Sequence, residues 1–280
     1  RLFATRALCG AVILVLCAGA GRAAAASDDW AAAVLAYTRG PNAASGYTNA
    51  AAALGEAARD TLDWSATSPV TLVNPAWQPD QIVSLGDGGS LTLAMGADVI
   101  NEDDPVHPYG VDLIVYGNAL FAAASTADLF AATWYGLSAE PAEIWVSADT
   151  QNWFRARDRY ADALMPTQSR NLDGTPMDYL RPINPALLTN DWFEAEPPWT
   201  YSNTVVAYDG AAGGCPVDLN DLIGPGNSAT SLAWIRYVKF IDLPDGKSSE
   251  IDAVARVASV PEAGTLTALA ACLWRRSRKA

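Results

Sequence analysis

Glu250 and Asp252 stand two residues apart in the run Glu250-Ile251-Asp252-Ala253-Val254-Ala255-Arg256-Val257. Its apolar character reads as a β-strand, and on a strand residues two apart project from one face. Two carboxylates on one face suit a hard cation such as calcium, which takes about six to eight oxygens from acids, carbonyls and water. Asn101-Glu102-Asp103-Asp104, ahead of Asp112, offers the same chemistry. For both groups the competing reading is a solvated acidic edge that discourages strand-to-strand association. Neither matches an EF-hand loop, and Asp218-Leu219-Asn220-Asp221-Leu222 fails as one because Leu222 stands where a ligand is needed.

Other chemistry is largely eliminated. The single histidine, His107, lies in Asp103-Asp104-Pro105-Val106-His107-Pro108 and reads as a surface loop residue with no marked serine partner. The chain has no G-x-S-x-G elbow, P-loop or H-E-x-x-H motif. Its histidine and cysteine counts exclude the usual zinc sets. Thirty-one acids without a local signature do not single out the carboxylate pair that a glycosidase needs. Exposed tryptophans could instead stack on sugar rings. Trp145 alternates with apolar neighbours and is expected in the core. Trp192 and Trp199, within Asp191-Trp192-Phe193-Glu194-Ala195-Glu196-Pro197-Pro198-Trp199, are open to either reading.

The elements that must position these residues are mostly strands. Ser27-Asp28-Asp29 reads as a cap for a short helix from Trp30 to Tyr37, ended by Arg39-Gly40-Pro41. Beyond it, Ile82–Leu85 and Leu91–Met95 flank the glycine-rich turn Gly86-Asp87-Gly88-Gly89-Ser90 as an expected hairpin. Glu143–Ser147 and Trp153–Ala156 flank a second. Val111–Tyr116, Thr204–Tyr208, Ala233–Ile241 and Glu250–Val257 complete the expected strands. Many short strands with Gly, Pro and Asp turns predict an all-β sandwich or barrel. No fixed-period repeat suggests a propeller or solenoid. The proline-rich stretch from Asp158 to Asn203 has no clear period, so it is either functional or hides an element.

The two ends read as addresses. Arg1 and Arg6 precede an uncharged apolar run from Ala7 to Gly21 and the small-residue stretch Ala23–Ala26, the layout of a secretory signal peptide cleaved before Ser27. At the other end, Val260-Pro261-Glu262 leads into an apolar run, Leu266 to Trp274, closed by Arg275-Arg276-Ser277-Arg278-Lys279. That run is shorter than the ~20 residues of a spanning helix. Removing both ends takes one acid and seven bases from the 31 and 18 of the chain and leaves 30 against 11, a net charge of −19. Such a body repels nucleic acid and anionic membrane. Of the four cysteines only Cys215 lies in it, so stability must come from a packed core rather than an intrachain disulfide.

The tail resembles the PEP-CTERM sorting signal of Gram-negative bacteria, with Ala263 standing in place of the second proline. The resemblance implies signal peptidase and an exosortase as processing partners, transient membrane contact through the tail, and a cell-surface or extracellular-matrix location. Tyr37-Thr38-Arg39-Gly40, Gly46-Tyr47-Thr48-Asn49, Ser84–Leu93, Gly110–Asn118, Val146–Trp153 and Ile235–Asp242 followed by Glu250–Val254 look together like secreted PEP-CTERM cell-surface proteins. They are also similar to discoidin-like and galactose-binding-like jelly rolls. In the latter a last-strand acid can hold calcium against an early loop, which implies Thr48 and Asn49 as partners of Glu250 and Asp252. The expected organisation is a signal peptide at 1–26, a two-sheet antiparallel β-sandwich at 27–259 and a sorting tail at 260–280. The expected function is that of a non-catalytic exported envelope or matrix protein in contact with extracellular polysaccharide. A carbohydrate-binding adhesin using Trp192 or Trp199 and a secreted carboxylate hydrolase are the alternatives.

Overall fold

In the computed structural model, which describes residues 28–62, 66–124, 128–187 and 198–259, the run expected as the N-terminal helix is a strand, β1 (Ala31–Thr38). Helix propensity favours an alanine-rich segment by only tenths of a kcal/mol per residue. Pairing with a neighbouring strand and burial of Ala31, with Val34 and Tyr37 packed on the core, outweigh it. The leader at 1–26, Trp192, and the tail at 260–280 with Pro261, Glu262, Arg275 and Arg276 lie outside the described residues.

The chain continues through β2 (Asp60–Leu62), β3 (Thr67–Pro69), β4 (Val83–Ser84), β5 (Ser90–Ile100), β6 (Leu113–Gly117), β7 (Leu120–Ala123), β8 (Trp134–Ser138), β9 (Ala142–Ser147) and β10 (Phe154–Ala161). A helix, α1 (Tyr201–Ala207), then precedes β11 (Cys215–Val217), β12 (Leu222–Gly224), β13 (Ser228–Thr230), β14 (Trp234–Asp242) and β15 (Glu250–Arg256). The fold is all-β. One sheet has the order β1-β5-β14-β9-β10-β12-β13 and a second the order β11-β6-β15-β4, with two small ribbons, β2-β3 and β7-β8. Every pairing between these strands is antiparallel.

The four-stranded sheet is buried on both faces. Leu113, Val115, Ile251 and Val254 meet Leu91, Leu93, Ile144, Val238 and Phe240 of the large sheet in one core. Ile114, Tyr116, Ala253 and Ala255 face the other way into a second core. There Met165, Met177, Tyr179 and Ile183 of the proline-rich stretch cover them, together with Tyr201 and Val205 of α1. The described part of the proline-rich stretch thus packs over the second sheet.

Two expected elements differ. Thr204–Tyr208, rich in β-branched residues, belongs to α1, because Thr200 and Asn203 form a reciprocal capping box at its start. The glycine-rich turn joins strands of different sheets instead of closing a hairpin, since β4 pairs with β15 while β5 pairs with β1 and β14. Gly86 is needed there: its φ is +76°, and a Cβ would stand 2.3 Å from the Pro41 carbonyl. The second expected hairpin forms as β9 and β10, with Asp149 accepting from the Gln151 and Asn152 amides at 2.9 and 2.8 Å.

Candidate metal centre

At one end of the large sheet Ala142, the first residue of β9, pairs with Ala161 on β10 and with Asp242 on β14. Glu140 lies just before this pairing and Asp162 just after it, so the base of the hairpin places the two acids side by side. The Glu140 amide donates to the Asp162 carbonyl at 3.0 Å. Glu250 arrives from the other sheet as the first residue of β15, and its amide donates to Asp162 Oδ2 at 3.0 Å. Asp162 Oδ1 accepts from the Asn118 amide at 2.9 Å. This approach needs Gly117, where a Cβ would stand 2.7 Å from the same oxygen. One carboxylate oxygen from each of Glu140, Asp162 and Glu250 lies within 4.8 Å of the others.

Burial and mutual repulsion set the electrostatics. Desolvation pushes Glu250 up to about 7, with Glu140 and Asp242 adding repulsion and the Ser84 and Ser248 hydroxyls opposing it. Asp162, 3% exposed, is raised well above the usual carboxylate range by burial against its two backbone donors. Glu140 is raised by burial, partly offset by the Lys247 ammonium. Asp242 is raised by burial as well, and its Oδ2 has no hydrogen-bond partner among the described residues. Asp245 adds repulsion on Glu140 and Asp242, so among the described residues acids outnumber Lys247 in this cluster. Two oxygens sharing a calcium at about 2.4 Å lie no more than about 4.8 Å apart, a limit that each pair of the trio meets.

A cavity of about 440 Å³ opens beside Glu140 and Glu250, bounded also by Ala44, Tyr47, Trp77, Ile82, Asn118, Lys247 and Ser248.

Of the residues singled out from sequence, Glu250 is in this cluster and Asp252 is not. A bulge between Ile251 and Ala253 breaks the alternation that would have put both on one face. The Asp252 carboxylate is buried and accepts from the Ala58 amide at 2.9 and 3.2 Å. Thr48 is exposed, and Asn49 caps the short 3-10 turn Ala50–Ala53. Ala44 and Tyr47, not Thr48 or Asn49, line the cavity that Glu250 borders. Trp199 is half-buried against the second core. Trp145, expected inside, is half-buried on the outer face between the buried Ile144 and Val146, its indole N–H donating to Glu143 at 2.9 Å.

His107 is no surface residue: it is 4% exposed. Its Nδ1 lies 2.7 Å from Asp112 Oδ1 and its Nε2 3.2 Å from Ser259 Oγ. The order serine, imidazole, buried carboxylate is that of a hydrolase triad. The nearby backbone donors, Glu102 and Leu219, point at Asp112 itself, not at a position beside Ser259 where an oxyanion would form. The group works as a knot tying the 101–110 loop and the chain after β15 to the start of β6. The acidic run is part of that knot: the Asn101 and Asn220 amides pair reciprocally at 3.0 and 3.1 Å.

Sequence reasoning missed Glu140 and Asp162. No local signal marked the meeting: the register beside the turn, Phe154 with Val146, would carry residue 140 opposite 160, and an irregularity between Arg155 and Tyr160 shifts the strands by three residues. No protein-family model matches the chain, and no curated protein matches it.

Proposed function

We propose that this is a non-catalytic protein of the cell envelope or extracellular matrix, whose jelly-roll, galactose-binding-like body is stabilised by calcium held by Glu140, Asp162 and Glu250. In this reading signal peptidase removes residues 1–26, and an exosortase acts on the PEP-CTERM-like tail at 260–280. The jelly-roll assignment is supported by the bridge between Trp30, at the head of the first strand, and Ala255 in the last. The observation that carries the calcium reading is the convergence of three buried or half-buried carboxylates from three separate parts of the chain. Without a cation they destabilise one another; a divalent ion turns that repulsion into attraction.

Adding calcium at about a hundredfold excess over its Kd stabilises the folded state by about 2.7 kcal/mol, a rise of about 5–10 °C in Tm for a body of this size. The rise is expected in the wild type and lost in Glu250→Gln and Glu140→Gln. Identical melting curves in calcium and in EDTA would show that the trio holds no calcium. The sorting reading is tested by ending the chain at Ser259: the shortened protein is expected in the medium, and equal retention at the envelope would contradict it.

A hydrolase is the second reading, favoured by Glu250 holding its proton to about pH 7 beside Glu140 at an open cavity. A glycosidase needs two such groups; the buried third, Asp162, is what a cation site requires. Turnover of an exopolysaccharide, lost in Glu250→Gln, would decide for the hydrolase.

A further inference from the structure

Three large apolar side chains stand exposed in one strip along α1. Ser202 and Val206 are four apart on the helix and share a face. The Ser202 hydroxyl donates to the Phe130 carbonyl at 2.7 Å, which sets Phe130 at one end of that face. At the other end Val206 and Leu172 line a groove of about 360 Å³, together with Val205, Asp173, Asp209 and Gly210. Phe130 is 57% exposed, Val206 66% and Leu172 42%. Exposed apolar surface gathered in this way marks a contact. We propose that the chain's own tail, residues 260–280, covers this strip, with the run 266–274 on its apolar side chains and the basic end at Asp173 and Asp209.

The chain leaves the described residues close to the groove. The Ala258 amide donates to the Leu180 carbonyl at 2.9 Å. Two residues earlier in that segment, the Asp178 amide donates at 2.8 Å to the carbonyl of Gly210, which lines the groove. Leu180 and Asp178 are at most about 7 Å apart. Residues 260–265 separate Ser259 from Leu266 and reach about 20 Å when extended, enough to cross from Leu180 to the groove.

Charge favours the same occupant. The tail carries four bases and one acid, a net charge of +3, against 30 acids and 11 bases in the body. Arg181 pairs with Asp209 at the groove. Asp173 accepts from the amide and hydroxyl of Thr175 and has no ion pair among the described residues. A strip this small holds a separate peptide weakly, but a short tether keeps the tail at an effective concentration of about millimolar. Covered in this way, the apolar run is withdrawn from water until the tail is processed. The contact precedes any processing, so its test is independent of the sorting reading.

The test uses the chain from Ser27 to Ala280, labelled with nitrogen-15 and carrying a nitroxide on Cys272. Cys215 does not compete for the label, because it is 5% exposed and burial pushes its thiol up to about 12. The oxidised nitroxide is expected to remove most of the amide signal of Leu172, Val206 and Gly210. It should affect residues 107–110 less, although His107 touches Ser259 directly. In Val206→Lys, at an exposed position, the added charge repels the basic end, and the broadening at Leu172 and Gly210 should fall about fivefold. If that variant does not fold, Arg275→Glu combined with Arg276→Glu, in the tail, decides in its place. No broadening at the groove, broadening strongest at residues 107–110, or broadening that survives the deciding substitution overturns the proposal. So does broadening passed from a nitroxide-bearing chain to a nitrogen-15 Cys272→Ser chain in a mixture, which would assign the strip to the tail of a second copy.

Discussion

Replacing Asp112 by alanine should cost about 3–5 kcal/mol and lower the melting temperature by about 10 °C. Asp112 is fully buried. Its carboxylate accepts from the Glu102 amide at 3.0 Å and the Leu219 amide at 2.9 Å, and it lies 2.7 Å from His107 Nδ1. Alanine leaves all three donors without an acceptor, each at about 1–3 kcal/mol, and losses within one network do not simply add. Ser259→Ala removes only an exposed hydroxyl at the rim of the same knot and should change stability by less than about 0.5 kcal/mol. Chemical denaturation of both variants checks this pair. An Asp112→Ala loss below about 1 kcal/mol would show that the knot does not hold the 101–110 loop to the sheet.

The calcium-free protein should lose about 2–3 kcal/mol of stability between pH 5 and pH 8. Glu250 is raised to about 7 in the folded state from an ordinary 4.5, so between those values the folded chain keeps a proton that the unfolded chain has released. Stability falls with pH wherever the folded state binds more protons, and each tenfold gain in proton affinity on folding is worth about 1.4 kcal/mol. Asp162, raised in the same direction, adds to the fall. Asp149, lowered to about 2 by its Asn152 and Gln151 bonds, acts below this window. Calcium favours the ionised carboxylates, so it should flatten the profile and raise stability most at the alkaline end. Urea titrations at several pH values, with and without calcium, measure this directly. A stability that stays flat or climbs from pH 5 to pH 8 in EDTA would mean that the cluster does not hold its protons more tightly than the unfolded chain does.

Much of the sheet framework was legible because it rests on local patterns. Trp234–Asp242, Glu250–Arg256 and the β9–β10 hairpin form close to where their apolar runs and turn residues place them. The failures have physical causes. Trp30 to Tyr37 carried a helix composition, and pairing with β5 overrode it. In α1 the composition favoured a strand, and the Thr200–Asn203 capping box, visible three residues apart, marked the helix. The bulge at Ile251 separated Glu250 from Asp252, and no residue type nearby announces it. Glu140 and Asp162 lie on either side of a hairpin, so their meeting depends on register rather than on any motif. His107 looked exposed because its loop is acidic and rich in proline, but its partner Ser259 is 152 residues away in sequence.

A calcium soak of crystals of the protein, read by anomalous diffraction, addresses the cation site itself. A single strong peak is expected about 2.3–2.6 Å from carboxylate oxygens of Glu140, Asp162 and Glu250, absent from crystals of Glu250→Gln. A calcium peak elsewhere with this cluster empty, or no peak in crystals that diffract equally well, would contradict calcium binding by the trio.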